Sequence, residues 1–388
     1  MKQVSPDLRT TAIAAGLFVL VVLLMMLPSY QLLVKPRGQS FDLYSSWVGG
    51  RAVLAGQNPY GPEPTRLIQL GIYKQIIPPP EYQHGFALPA YVAFVLLPVM
   101  LLPFSWSILL WVSLQIPLLL ATLMIGFDIL DWQIGPAMLF PLAFLITVGF
   151  RYPLIAYVVG QVTIFVIFCL VLAAWLFKRR RPRWAAIALA CATIRPDLSL
   201  AAIVSALVLV RKSPGRNSFV ATLIGAGLVL VLLPVVFTGD FWPITWLTTI
   251  RAYGGSNPHN TWPPELLAFP WLRGALLIGL AFWLLGYVKR AWESPTSFNQ
   301  GLLVSAAILV SLMALPQTGS YTLSLALIPA LILLRYNKLG WQQILIAASL
   351  LSPWLYFWLN MNKAIFLFIP LQFVLLQELV SRMSQRTA

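Results

Sequence analysis

KPRGQSFDLYSSWVGGRAVLAGQNPYGPEPTRLIQLGIYKQIIPPPEYQH, residues Lys35 to His84, is a long polar stretch set between two apolar runs. It holds three of the chain's eleven acidic residues and spaces Pro, Gly and aromatic residues between short amphipathic segments. Asp42 precedes Leu43, Tyr44, Trp47, Val48 and Leu54, which share one side of a helix that Gly56 can end. A helix with that stripe is expected along a membrane surface. Asp42 is expected at its N-cap, since Asp is among the best acceptors for the orphan N–H groups there. The same carboxylate, at the edge of a bilayer, is also placed to act as a general base.

Around this stretch the chain is mostly hydrocarbon. Of 388 residues, 59% are hydrophobic and 10% charged, with a mean hydropathy of +0.82, whereas soluble domains are typically about 25% charged. The composition is that of a polytopic, all-α integral membrane protein with a single membrane domain over residues 1–388. The net charge of +15 does not point to nucleic acid, because Lys and Arg fall in short clusters between apolar runs rather than on one face. Those clusters read as topology signals.

Cys169 and Cys191 lie within apolar segments and have neither disulfide nor metal-ligand spacing. With His84 and His259 as the two histidines, no metal centre and no cofactor is expected. Lys2 and Arg9 before the apolar run 11–27 resemble a signal peptide, yet no small-residue cleavage site follows, so a retained first helix is expected.

Apolar runs near the roughly 20 residues needed to cross occur at about 11–34, 105–127, 134–150, 160–177, 217–237, 268–288, 299–316, 340–359 and 363–381. Together with shorter runs they predict about a dozen membrane segments. The basic clusters at Lys2/Arg9, Lys178–Arg183, Arg211–Arg216, Lys289/Arg290, Arg335/Lys338 and Arg382/Arg386 are expected on the cytoplasmic side. Parity then leaves one run before Lys178 that does not cross. The run 86–104, broken by Pro89, Pro98 and Pro103, is assigned to the first non-cytoplasmic loop, residues 35–104, with its surface helices.

The segment 184–212 is basic at both ends and meets Arg195-Pro196-Asp197 in its middle. A broken re-entrant hairpin explains both features, with a single kinked helix as the alternative. Asp197 is expected to cap the second half, with neutralisation of Arg195 as the alternative. Residues 238–267 form a second large non-cytoplasmic loop, whose Trp242, Trp246 and Trp262 suit an interfacial belt or sugar stacking.

No nucleotide-binding loop or metal cluster is present. An outward cavity with few carboxylates, isolated cations and many aromatics fits sugar transfer from a lipid-borne donor, which needs a base for the acceptor hydroxyl and donors for the departing phosphate.

The order of features is recognisable. A first helix, Asp42 heading a large outer loop, Gly56-Gln57-Asn58-Pro59-Tyr60, the Pro98–Pro103 turn, Gly160-Gln161 opening a later helix and Arg195-Pro196 in a broken one resemble the GT-C fold, and more narrowly glycosyltransferase family 87. The resemblance covers most of residues 1–215. It implies an inverting, metal-independent glycosyltransferase acting on the non-cytoplasmic face of a bacterial plasma membrane. It further implies a polyprenyl-phosphate sugar donor (mannose, or another hexose or pentose), a lipid or glycan acceptor, contact with membrane lipids and none with nucleic acid. By the same resemblance Asp42 is the catalytic base.

Substrate-binding candidates are Arg195, Gln161, His259, Asn260, Asn58, Tyr60 and Arg51. Two departures stand out: Arg195 where many members have Lys, which changes phosphate geometry, and a Leu315–Tyr321 stretch without the His of the family's mannosyltransferases. A transporter or flippase for a sugar or polyprenol-linked substrate is the rival reading. It calls for ionisable residues on facing membrane helices, whereas those here sit at helix ends and in loops.

Overall fold

The computed structural model describes residues 8–78, 84–211, 213–256, 269–294, 296–314, 319–337, 340–359 and 368–385, and every regular element among them is helical. Helix α1 (Leu8–Ser29) runs through a π-helical turn at Tyr30–Val34 into α2 (Lys35–Arg37). The polar stretch then folds into α3 (Asp42–Leu54) and α4 (Pro62–Tyr73). Pro62 opens α4 at a position where a missing N–H goes unnoticed. In 86–104 the prolines leave only α5 (Val92–Val95) and α6 (Leu97–Leu101), because each removes a backbone donor.

Helix α7 (Phe104–Ile129) follows, about 39 Å long at 1.5 Å per residue. Next, α8 (Pro136–Phe144) and a π-helical turn at Leu145–Gly149 bend by 60° into α9 (Arg151–Val159). Then come α10 (Thr163–Lys178), α11 (Pro182–Ala192), α12 (Pro196–Val210), α13 (Arg216–Thr238) and α14 (Trp242–Ser256). The remainder is α15 (Pro270–Glu293), α16 (Ser297–Ala314), a 3₁₀ segment at Ser320–Ala326, α17 (Leu327–Tyr336), α18 (Gly340–Trp358) and α19 (Phe368–Gln385).

Among the described residues, 15–37, 104–129, 216–238 and 270–293 are helices long and apolar enough to cross a bilayer, with a fifth span if the bent pair around Gly149 counts as one. These make the chain an integral membrane protein. Against the dozen segments expected, the apolar helices at 163–178, 196–210, 298–314 and 320–336 are shorter, at 10–17 residues, than a full crossing needs. Breaks at Gly160, at Arg195-Pro196 and at Gly319 cut three of them short.

The two ends of α7 differ in chemistry. At its C-terminus Arg179 grips Asp128 with both oxygens at 2.9 and 3.0 Å, Lys178 pairs with Asp131 at 2.8 Å, and Arg335 donates to the carbonyls of Leu130 and Asp131. Cations there satisfy the orphan carbonyls of the last turn and suit the negative end of the helix dipole. Its N-terminus instead lies under the polar stretch, with Trp47 Nε1 donating to Leu102 O at 3.0 Å and Phe104 edge-on to Tyr44.

The segment 182–215 begins and ends in one place. A Cβ on Gly215 would stand 2.8 Å from Pro182, and Arg183 Nε reaches Ser218 Oγ at 3.0 Å. A straight helix from 182 to 210 would part its ends by about 43 Å, while the five residues from 210 to 215 reach roughly 18 Å at most. The chain therefore folds back at Thr193–Arg195. Its two arms splay, α11 onto α10 and α13, and α12 onto α16.

Candidate functional site

The site is built where α3 begins. Phe41, extended at φ −124°, is the N-cap of α3 and makes no side-chain cap bond, so Asp42 is the first helical residue rather than the cap expected of it. Its carboxylate is turned instead onto another element, Oδ2 accepting from Gln161 Nε2 at 2.5 Å. Position one of a helix still favours a negative charge, through the helix dipole.

Gln161 is held from several sides. Gly160 takes φ +73° to end α9, a conformation that L side chains rarely adopt. Phe41, Leu43 and Ile108 press against it, and an added Cβ would meet Ile108 at 3.1 Å and Phe41 at 3.4 Å. Trp111, fully buried, donates its indole N–H to Gly160 O at 3.0 Å. Gln161 N–H returns to Ala156 O at 2.8 Å, and Arg37 donates to Val158 O at 2.6 Å. The residues flanking Asp42 thus pack on the turn that presents Gln161, which leaves little freedom for either side chain.

Helices α3 and α4 are antiparallel and closely packed. A Cβ on Gly71 would fall 2.0 Å from the Tyr44 ring, and Lys74 Nζ reaches Gln39 Oε1 at 3.3 Å. The start of α3 and the end of α4 therefore share one end of the pair, bringing Tyr73 into the field of Asp42. Burial first, and then the negative charge of Asp42, push the Tyr73 phenol above its ordinary pKa. Its hydroxyl lies 3.1 Å from His84 Nδ1, with the two rings edge to face.

The Gly56–Tyr60 candidates hold a turn. Asn58 Oδ1 accepts from Tyr60 N–H at 2.9 Å, an Asx turn. Tyr60 donates its hydroxyl to Leu88 O at 2.9 Å and tilts against Phe86. Arg51 is exposed, its guanidinium 5.1 Å from the centre of the Trp47 ring.

Arg195 is 5% exposed and bound to Asp197 by two hydrogen bonds, Nε to Oδ1 at 2.9 Å and Nη2 to Oδ2 at 2.6 Å. Asp197, expected as a cap, serves as the counter-charge instead; a carboxylate gains more from a bidentate guanidinium than from one backbone N–H. The Tyr321 ring lies 5.9 Å from the guanidinium. Nearby elements carry buried hydroxyls with no hydrogen-bond partner at Thr163, Ser199 and Ser324.

The same break meets the polar stretch. Tyr91 donates to Thr193 O at 2.7 Å and stands 3.0 Å from Thr193 Oγ1; burial pushes its phenol up to about 12, which keeps it a donor. Trp242 packs edge-on against Tyr91, and Trp246 donates to Ala87 O at 3.0 Å. Segments 86–104, 193–195 and 242–246 thus converge on one locus.

His259 and Asn260 lie outside the described residues, as do Trp262 and Glu265. Among the described residues no three His, Cys, Asp or Glu side chains gather as for a metal ion. Sequence reading missed Trp111, Tyr73, Tyr91 and Tyr321. Each acts across a gap in the chain, and in a sequence rich in aromatics none stands out by type or spacing.

The family model for glycosyltransferase family 87 matches residues 86–316, more than half of the chain. Gln161 and Arg195 fall inside the matched region and Asp42 before it. No curated protein and no solved structure matches the chain.

Proposed function

The chain belongs to glycosyltransferase family 87, and on that premise we propose that it transfers a hexose or pentose from a polyprenyl-phosphate donor to a lipid or glycan acceptor. The observation that carries the reading is the carboxylate of Asp42, held by Gln161 at 2.5 Å at the start of a helix. In this reading Asp42 takes the proton of the acceptor hydroxyl as its oxygen bonds to the anomeric carbon. The bond from that carbon to the phosphate oxygen breaks, and polyprenyl phosphate leaves with the electron pair. One displacement inverts the anomeric centre and needs one base, unlike the two carboxylates of glycoside hydrolysis.

Arg195 is assigned to the donor phosphate. A guanidinium has five N–H groups; Asp197 accepts from Nε and Nη2 while fixing the plane, and Tyr321 also hydrogen-bonds the group. A phosphate is the natural partner for a buried, oriented Arg. Gln161 orients the base, and Trp246, half-buried beside the buried Tyr91 and Trp242, offers a ring on which a sugar can stack.

The sidedness follows from charge. Lys178, Arg179 and Arg335 gather at the far end of α7, and Lys and Arg mark the cytoplasmic side. Asp42 then belongs to the non-cytoplasmic face, with 184–212 entering and leaving from the cytoplasm. We read the whole as a GT-C arrangement of about twelve membrane segments in a bacterial plasma membrane.

The test is turnover of a panel of radiolabelled polyprenyl-phosphate hexoses and pentoses by the purified full chain. Asn keeps the shape and hydrogen bonding of Asp42 but is no base, and general base catalysis is worth about 10²–10⁴-fold. Asp42→Asn is expected to fold and bind donor while losing turnover by that factor; near wild-type turnover would remove Asp42 from the chemistry.

A further inference from the structure

The proton taken by Asp42 must leave it before the next turnover. A carboxylate that keeps it cannot act again. Between the end of α4 and the segment after residue 83, Tyr73 Oη and His84 Nδ1 lie 3.1 Å apart. The antiparallel pairing of α3 and α4, fixed by Gly71 against Tyr44 and by Lys74 on Gln39, sets this pair at the same end as Asp42. Burial, and after it the negative charge of Asp42, hold the Tyr73 phenol protonated. His84 is half-buried.

Resting on the reading of Asp42 as the base, we propose that Tyr73 and His84 are its proton outlet and set the acid limb of the reaction's pH dependence. The acceptor O–H bond breaks and its proton forms an O–H bond on Asp42. That proton passes to Tyr73 Oη, directly or across one water, as the phenol gives its own proton to His84 Nδ1. The imidazolium then releases its Nε2 proton to solvent and recovers its starting tautomer by exchange with water. No oxidant, metal or net charge change is required over the cycle.

The arrangement has a definite pH consequence. With its proton on Nε2, neutral His84 accepts from the Tyr73 hydroxyl at Nδ1. Protonated His84 has N–H groups on both ring nitrogens, so it donates to Tyr73 Oη and blocks the relay. The phenol proton is then turned toward Asp42, where a hydrogen bond to the carboxylate makes it a weaker base. Imidazole changes charge between about pH 5 and 8, so turnover falls as pH drops through that window. Besides Asp42 and Tyr73, the charged groups among the described residues of this region are Lys74 on Gln39 and Gly71 O, Arg37 on Val158 O, the exposed Lys35, Arg51 over Trp47, and the exposed Glu63–Arg66 pair. Of these only Lys74 adjoins Tyr73.

The chain has two histidines, so ¹⁵N-histidine NMR of the full protein in detergent follows both, and His84→Gln assigns them. A carboxylate favours the nearby imidazolium, so Asp42→Asn is expected to lower the His84 midpoint by about half a unit or more. Kinetically, with whichever polyprenyl-phosphate sugar is turned over, His84→Gln keeps an acceptor for Tyr73 and is expected to flatten the acid limb. Tyr73→Phe is expected to lower kcat roughly tenfold or more with little change in KM. A His84 midpoint unmoved by Asp42→Asn overturns the outlet. So does a wild-type pH profile in His84→Gln when Asp42→Asn is inactive. Turnover surviving in Asp42→Asn is a different result: it removes the base itself, and the outlet with it.

Discussion

The carboxylate of Asp42 and the carboxamide of Gln161, 119 residues apart in the chain, meet at 2.5 Å. One belongs to the first turn of α3 and the other to the turn after α9, and Trp111 on α7 ties the second of these in place through Gly160 O. Three elements distant in sequence thus fix one carboxylate in orientation as well as position. A base that needs no reorganisation before it accepts a proton is the arrangement catalysis favours.

Replacing Gln161 by Glu puts a second carboxylate against Asp42. Like charges at hydrogen-bond distance cannot both ionise, so the proton affinity of the pair rises. A base with a raised pKa is deprotonated only at higher pH. Gln161→Glu in the His84→Gln background, where the limb set by His84 is gone, is therefore expected to bring in an acid limb at least about one pH unit above that of His84→Gln alone, measured as kcat/KM against pH. Gln161→Leu should lower the rate without that displacement.

The Arg195–Asp197 pair separates structural from binding roles. Removing one partner of a buried ion pair leaves an uncompensated charge and costs about 3–5 kcal/mol; with Asp197 partly exposed, the lower end of that range is expected for Asp197→Asn by thermal unfolding in detergent. Arg195→Gln/Asp197→Asn should recover much of that loss. Donor binding, followed by equilibrium partition of a labelled polyprenyl-phosphate sugar, should stay weak in the double variant. Full recovery of binding would leave Arg195 with no role toward the phosphate.

The seam between α3 and α4 has no room at Gly71, where a Cβ would sit 2.0 Å from the Tyr44 ring. Gly71→Ala is expected to destabilise by about 1–3 kcal/mol through overpacking and to reduce turnover by displacing the start of α3. Tyr44→Leu in the same chain should relieve it, and melting temperatures of the two variants make the comparison.

Sidedness can be read with a membrane-impermeant thiol reagent, in a background carrying Cys169→Ala and Cys191→Ala. Gln57 and Arg180 are both exposed. Gln57→Cys is expected to react on intact cells and Arg180→Cys only after permeabilisation. The reverse pattern would invert the topology and place Asp42 on the cytoplasmic face.

By itself the sequence determined that the chain is helical and built for a membrane, because hydropathy and proline are local properties. A run of about 20 apolar residues or a Pro-broken one reads the same wherever it packs. The helix beginning at Asp42, the disruption of 86–104 and the break at Arg195-Pro196 were legible in that way, and so was the family, through the order of short motifs. What the tertiary structure alone decided is which polar atoms meet. Asp42 and Asp197 were both placed as caps on local grounds; Asp42 meets instead a carboxamide from another element, which no local rule could name, while Asp197 takes the bidentate guanidinium two residues before it, the alternative the sequence leaves open. Tyr73, facing His84 in the field of Asp42, carried no signal of its own. The physical reason is range: backbone preferences act within a few residues, whereas a carboxylate leaving water takes the best donor that folding brings within about 3 Å, and that donor can stand a hundred residues away.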